Sequence, residues 1–239
     1  MVAPGTGANF PRLTLLAPQG AEYQAVRRGA PAAWSVLAIP LGRQALPAWW
    51  ATHQPVFNHR SAVLLGLAGG LQADWAAGDG VICGRCTDHA TGLTRPCDPE
   101  ITQWLCERLR LPVAGSLTVP EIVTQPQAKA RLGQEFACAV AEMEGYAWLG
   151  YLPRLGMVRV VSDEMGQPLP DLQAAVVPAT GHIQPLPLAW AMLRQPGPAL
   201  RLVSSSLTAL GRLTALTQRL TANSEKNYNE IRPADVSGI

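Results

Sequence analysis

Residues 62–67 read AVLLGL, an apolar run with no polar alternation. A strand of that kind must be covered on both faces, the situation of a parallel strand between two helical layers. Further runs rich in apolar residues recur at 13–17 (LTLLA), 35–41 (SVLAIPL) and 157–161 (MVRVV). Further strand segments are read at 76–83, after a turn, at 115–123 and at 139–142. Between them lie segments with helical character at 21–28, 45–50, 99–109 and 127–136; Pro99 suits the first turn of its helix. Two helices close the chain, 186–194 and 199–220. The second carries Leu207, Leu210, Leu213, Leu216 and Leu220 on one face at three-to-four spacing. Strands alternating with helices predict an α/β fold: a three-layer sandwich with a central mixed, mainly parallel sheet and flanking helices. No repeat or long linker divides it. The expectation is one domain over 1–222, including a C-terminal helical extension at 186–222, followed by a polar tail at 223–239.

Composition narrows the function. Only 15% of the 239 residues are charged, and the net charge is +2 with no basic cluster, which argues against nucleic acid as a partner. The N-terminus lacks the charged and apolar segments of a signal peptide. Five cysteines without framework spacing read as reduced thiols of a cytoplasmic protein. Cys83 and Cys86 have a C-x-x-C spacing, but Cys97 has no partner at that spacing and Cys83 ends an apolar strand. Buried thiols are the favoured reading over a zinc site, and no metal is expected.

The chemistry concentrates in residues 137–163, ACAVAEMEGYAWLGYLPRLGMVRVVSD. Glu142 and Glu144 flank Met143; one helix's length later a strand delivers Ser162 and Asp163 to its carboxyl end. Ligands of open α/β sheets lie beyond such ends. Glu22 falls in the first helical turn after the first strand, and Gly69–Gly70 follow the buried run, where backbone can approach a ligand or turn tightly. Arg43 can reach an anion from its loop or lie solvated.

Three blocks, GLAGGLQADWAAGDGVI (66–82), AVAEMEG (139–145) and VRVVSDEMG (158–166), resemble the nucleoside phosphorylase/nucleosidase superfamily in order and approximate spacing. That resemblance implies a nucleoside phosphorylase-like fold and cleavage of a purine N-glycosidic bond. By the same resemblance, Asp163 is the acid near the base N7 and Ser162 orients it. Glu144 binds the ribose 2′ and 3′ hydroxyls and Met143 packs on the sugar. Glu22 activates water, Arg159 is a basic residue near the nucleophile, and Ile122 lines the base pocket. Glu142 is read as structural or secondary. No cofactor is implied, phosphate being a co-substrate only in a phosphorylase. A homo-oligomer is expected. The segment 184–213 is similar to the extension of hopanoid-associated phosphorylases, which are proposed to remove adenine from adenosylhopane.

The departures are informative. Where phosphorylases carry Arg-x-Gly-Ser, this chain reads Leu64-Leu65-Gly66-Leu67. Leucines cannot give a buried phosphate charge-assisted hydrogen bonds, so hydrolysis is favoured over phosphorolysis. Pro18-Gln19-Gly20 replaces further acids of the small-substrate nucleosidases, which favours an altered or bulky 5′ substituent. Two other classes compete: a nucleoside-binding protein without turnover, supported by Leu67, and a membrane-surface enzyme. The latter reading pairs the leucine stripe of the last helix with Arg201, Arg212 and Arg219.

Overall fold

The computed structural model describes residues 13–57, 61–170, 176–177, 182–183 and 185–222. The apolar runs form strands. β1 (Thr14–Pro18) pairs in parallel with β2 (Ser35–Ile39) and with β3 (Ala62–Gly70), and β3 pairs in parallel with β8 (Leu155–Asp163). β4 (Gly80–Asp88) runs antiparallel to β8 and to the short β5 (Thr94–Pro96), and parallel to β6 (Val113–Thr118). β7 (Val140–Glu142) is parallel to β6 and antiparallel to the end of β3. Five of the eight pairings are therefore parallel, and the path β3–β8–β4–β6–β7 returns to β3 as a closed ring. Closure leaves these strands without free edges.

Helices cover both faces. On one side α1 (Ala21–Gly29), α3 (Pro99–Leu109) and α7 (Pro196–Thr221) bury Val26, Ile101, Leu105, Leu213, Leu216 and Leu220 against Val63, Leu65, Val158 and Val160. On the other, α2 (Leu46–His53) and α5 (Gly145–Tyr151) pack Leu46, Trp148 and Leu149 against Ala62, Leu64, Leu155 and Met157. Alternate residues of β3 thus serve opposite layers, as a continuous apolar strand requires. α4 (Pro126–Phe136) forms a smaller cluster with Leu71, Leu117 and Val119, and α6 (Pro185–Arg194) precedes α7. The start of α3 follows its sequence signals. Asp98 accepts the Ile101 N–H at 2.9 Å, and Pro99 occupies the first turn.

Several boundaries move. Gly69 and Gly70 do not follow β3 but belong to it, because they find ladder partners in β7 and β8. Residues 87–96 contain the end of β4 and β5, joined across by Thr87 Oγ1 and Thr94 Oγ1 at 2.9 Å. The leucine stripe of α7 divides. Leu213, Leu216 and Leu220 are fully buried in the protein's own core, whereas Leu207 is 64% exposed. The face assigned to a membrane surface is therefore largely core. Among the described residues no helix is long and apolar enough to cross a membrane.

Candidate active site

Two groups of polar side chains lie along β3, each over a glycine. The first is built over Gly66. A Cβ there would come within 2.4 Å of Arg159 Nη1 and 2.9 Å of Glu22 Oε1, so glycine is what allows those two side chains to meet. Arg159, on the β8 residue paired with Gly66, is fully buried. Its Nη2 donates to Glu142 Oε2 at 2.6 Å and its Nη1 to Glu144 Oε1 at 3.2 Å. Glu22, in the first turn of α1, accepts the Leu67 N–H at 2.6 Å.

Glu142, read as structural or secondary, is the support of this group. Besides Arg159 it accepts the N–H of Glu144 at 3.1 Å and of Gly145 at 2.6 Å, closing the N-terminus of α5. Its other oxygen accepts from Thr118 Oγ1 and lies 3.5 Å from Cys86 Sγ. Such a set of donors holds the carboxylate and, through Arg159, sets the direction of Glu144.

Two buried carboxyls, Glu142 and Glu144, and the half-buried Glu22 face one guanidinium, and the electrostatics follow. Burial pushes Glu22 up to about 7, against the pull of the Leu67 N–H and Arg159. Burial likewise pushes Glu144 up to about 8; Arg159 opposes, and the charges of Glu142 and Glu22 add to the rise. Arg159 is itself raised: burial opposes, but Glu144 and Glu142 outweigh it.

The second group is built over Gly69. The register of β3 and β8 slips here: Ala68 pairs with Val161 but Gly69 with Asp163, leaving Ser162 as an extra residue. Bulges of this kind re-aim side chains beside active sites. Asp163 Oδ2 lies 3.0 Å from where a Gly69 Cβ would stand, and Oδ1 is 2.7 Å from Ser162 Oγ. At strand rise, Gly66 and Gly69 are roughly 10 Å apart along β3.

Asp163 has a partner that sequence reading missed. Lys129 of α4, 1% exposed, is ion-paired with Asp163 Oδ2 and donates to the Glu164 carbonyl at 3.0 Å. A lysine in a polar helical segment reads as a surface residue. The available signal was scarcity, since Lys129 and Lys226 are the only lysines.

The remaining residues are more peripheral. Met143, half-buried, packs on the α4 cluster, with its methyl 3.8 Å from where a Gly42 Cβ would be. Gly70 backs Asp163, whose carbonyl would lie 3.3 Å from a Cβ there. Ile122 is half-buried in the loop 119–125, which Thr124 ties to the segment after Asp163 by accepting the Leu169 N–H at 3.0 Å. Arg43 pairs with Asp88 at 2.8 Å. Cys83, Cys86, Cys97 and Cys138 are buried free thiols, pushed upward in pKa chiefly by burial. Among the described residues no group of three His, Cys, Asp or Glu side chains is placed to hold a metal.

The closed ring and the two helical layers make up the nucleoside phosphorylase-like α/β fold. Particular structures sharing it are nucleosidases. The chain is similar to futalosine hydrolase of Helicobacter pylori strain 26695, with TM-score 0.63, 10% identity, and coverage of 88% of this chain and 97% of that one. It is also similar to 5′-methylthioadenosine/S-adenosylhomocysteine nucleosidase of Neisseria meningitidis in complex with methylthio-immucillin-A (TM-score 0.63, 13% identity, 88% and 98% covered). The same nucleosidase from Helicobacter pylori, bound to butyl-thio-DADMe-Immucillin-A, aligns at TM-score 0.57 and 13% identity over 85% and 96%. No protein-family model matches the chain, and no curated protein matches it significantly.

Proposed function

We propose that the protein is a nucleosidase that hydrolyses the N-glycosidic bond of a purine nucleoside. The observation that carries this reading is the presence of two acid groups along β3, Glu22–Arg159–Glu144 over Gly66 and Asp163 over Gly69. A carboxyl at about 7 is suited to take a proton from water at neutral pH, which supports Glu22 as the base. Water attacks C1′ and gives a proton to Glu22, and the C1′–N bond breaks with its electron pair passing to the base, which takes a proton at N7 from Asp163. Glu144 takes the ribose hydroxyls, Met143 packs on the sugar, and Arg159 offsets the charge around the nucleophile. Ser162 and Asp163 face the leaving base at its protonated edge, and Ile122 lines the base pocket.

Hydrolysis is favoured because Leu64 is fully buried among apolar neighbours and Leu67 offers only its backbone N–H, already given to Glu22. Neither supplies what a phosphate dianion needs. The substrate is an adenine-type nucleoside with a bulky 5′ substituent such as a hopanoid, a reading supported by the 184–213 segment and by Pro18-Gln19-Gly20. The enzyme is expected to act as a cytoplasmic homo-oligomer without a cofactor.

The test is chromatography of free base after incubation with adenosine, methylthioadenosine, S-adenosylhomocysteine and inosine, with and without phosphate. Base released equally in both conditions is the expected result, and Asp163→Asn should abolish it while leaving the fold intact. Ribose-1-phosphate among the products would establish phosphorolysis instead. Binding without release in every case would favour a nucleoside-binding protein.

A further inference from the structure

Among the described residues, the large apolar side chains left exposed gather on α6 and the first half of α7. Leu186, Trp190 and Leu193 recur at four and then three residues on α6. Leu200, Val203 and Leu207 recur at three and then four on α7. Each set therefore forms one stripe on its helix. The exposure is large, 81% at Leu186, 73% at Leu193 and 72% at Leu200. Ala209, Leu213, Leu216 and Leu220 of α7 turn to the core instead, so the helix has a buried side and, over its first half, a bare apolar one. Contiguous exposed apolar surface of this kind marks a contact site.

The charge on these two helices has one sign. They carry Arg194, Arg201, Arg212 and Arg219 and no acidic residue. Arg201, Arg212 and Arg219 follow one another at eleven and seven residues, close to whole numbers of turns, which sets them in a row along one flank of α7. Arg194 lies over the Trp190 ring, 4.8 Å from its centroid. Leucine and tryptophan on one face, with arginines beside them, are what a helix lying in a lipid interface requires. We propose that α6 and α7 dock the protein on an anionic lipid surface. The two apolar stripes enter the acyl boundary and the arginines reach the headgroups. The docking is peripheral, since no described helix is long and apolar enough to cross a membrane. A second copy of the chain is the poorer occupant. In a two-fold pairing the patch would meet itself, bringing arginine against arginine with no carboxylate on either helix to offset them.

The inference stands apart from the nucleosidase reading, and its test needs no substrate. The full chain is sedimented with vesicles of phosphatidylglycerol and phosphatidylethanolamine, and with vesicles of phosphatidylcholine alone, at low and high salt. Binding to the anionic vesicles at low salt, weakened by high salt, is the expected result. Leu193→Gln with Leu200→Gln and Leu207→Gln should lower the partition coefficient by about 10²-fold, because three side chains no longer gain by leaving water. Arg194→Gln with Arg201→Gln should lower it by about 25-fold, roughly five-fold for each arginine. All five side chains are exposed, so both variants should melt with the wild type and, in sedimentation velocity without lipid, keep its oligomeric state. Wild type absent from the anionic vesicles, equal binding to both lipids, or a leucine variant that binds as well as wild type each overturns the proposal. A leucine variant with an altered oligomeric state makes the face an interface between copies and overturns it as well. Base release by a protein that ignores vesicles removes the docking and keeps the nucleosidase, and vesicle binding without base release does the reverse.

Discussion

Replacing Glu22 by glutamine tests whether a half-buried carboxyl beside Arg159 is held in reserve as a base. The folded protein raises Glu22 from 4.5 to about 7, mainly by burial. Between those values the folded state binds more protons than the unfolded chain, so stability falls as pH rises. The contribution is fully present below 4.5 and is lost on passing through about 7. At about 1.36 kcal/mol per decade, it amounts to about 3 kcal/mol. Glu144, raised to about 8, adds a loss of the same sign over a range reaching slightly higher pH. Glutamine keeps the shape and can keep the hydrogen bond to the Leu67 N–H, yet it cannot ionise. Urea unfolding at pH 5, 7 and 9 should show wild type losing stability with pH and Glu22→Gln losing about 3 kcal/mol less. Base release should drop about 10²–10⁴-fold in the variant, with the limb of the pH–rate profile near 7 removed. Equal pH slopes for the two proteins together with undiminished turnover would refute both the electrostatic and the catalytic reasoning.

Further outcomes follow from the same geometry. Gly66→Ala should destabilise by about 1–3 kcal/mol and suppress base release, because its methyl would occupy the space of Arg159 Nη1 and Glu22 Oε1; chemical denaturation and turnover measure the two effects. Glu142→Gln breaks the buried pair with Arg159 and should cost about 3–5 kcal/mol, read as a large fall in melting temperature. Leu213→Ala, remote from the acids, should lose about 2–5 kcal/mol of stability by leaving a cavity, with kcat/KM retained below the melting range.

Much of this was legible in the sequence because it is local. The strand core at 62–67 declares itself by composition, and the start of α3 by Pro99. The acids Glu22, Glu144 and Asp163 could be placed at element ends, since a change of periodicity marks where a strand gives way to a helix. What could not be read depends on partners far along the chain. The glycines at 69 and 70 belong to β3 only because β7 and β8 reach them. Glu142 looks like a neighbour of the important acid until Arg159 and the N-terminus of α5 converge on it. Lys129 looks like a solvated lysine until Gly133 draws its helix inward. The leucines of α7 show a stripe but not its limits: packing against Ala25 and Val26 of α1 covers the later leucines, and the stripe runs on past the core at Leu207.

The ring of strands has a consequence for how the protein acquires activity. β3 and β8 lie about ninety residues apart in the chain, yet their pairing brings Gly66 beside Arg159 and Gly69 beside Asp163. Glu22 meets Arg159 across a still longer separation. Contacts so distant in sequence carry a large loop-closure entropy and form late and slowly. On a ribosome, β1, α1 and β3 emerge well before β8 exists, with Glu22 and the bare face of Gly66 waiting for a guanidinium not yet synthesised. Competence should therefore arrive in one step, when β8 closes the ring, and lag behind the appearance of helix in refolding experiments.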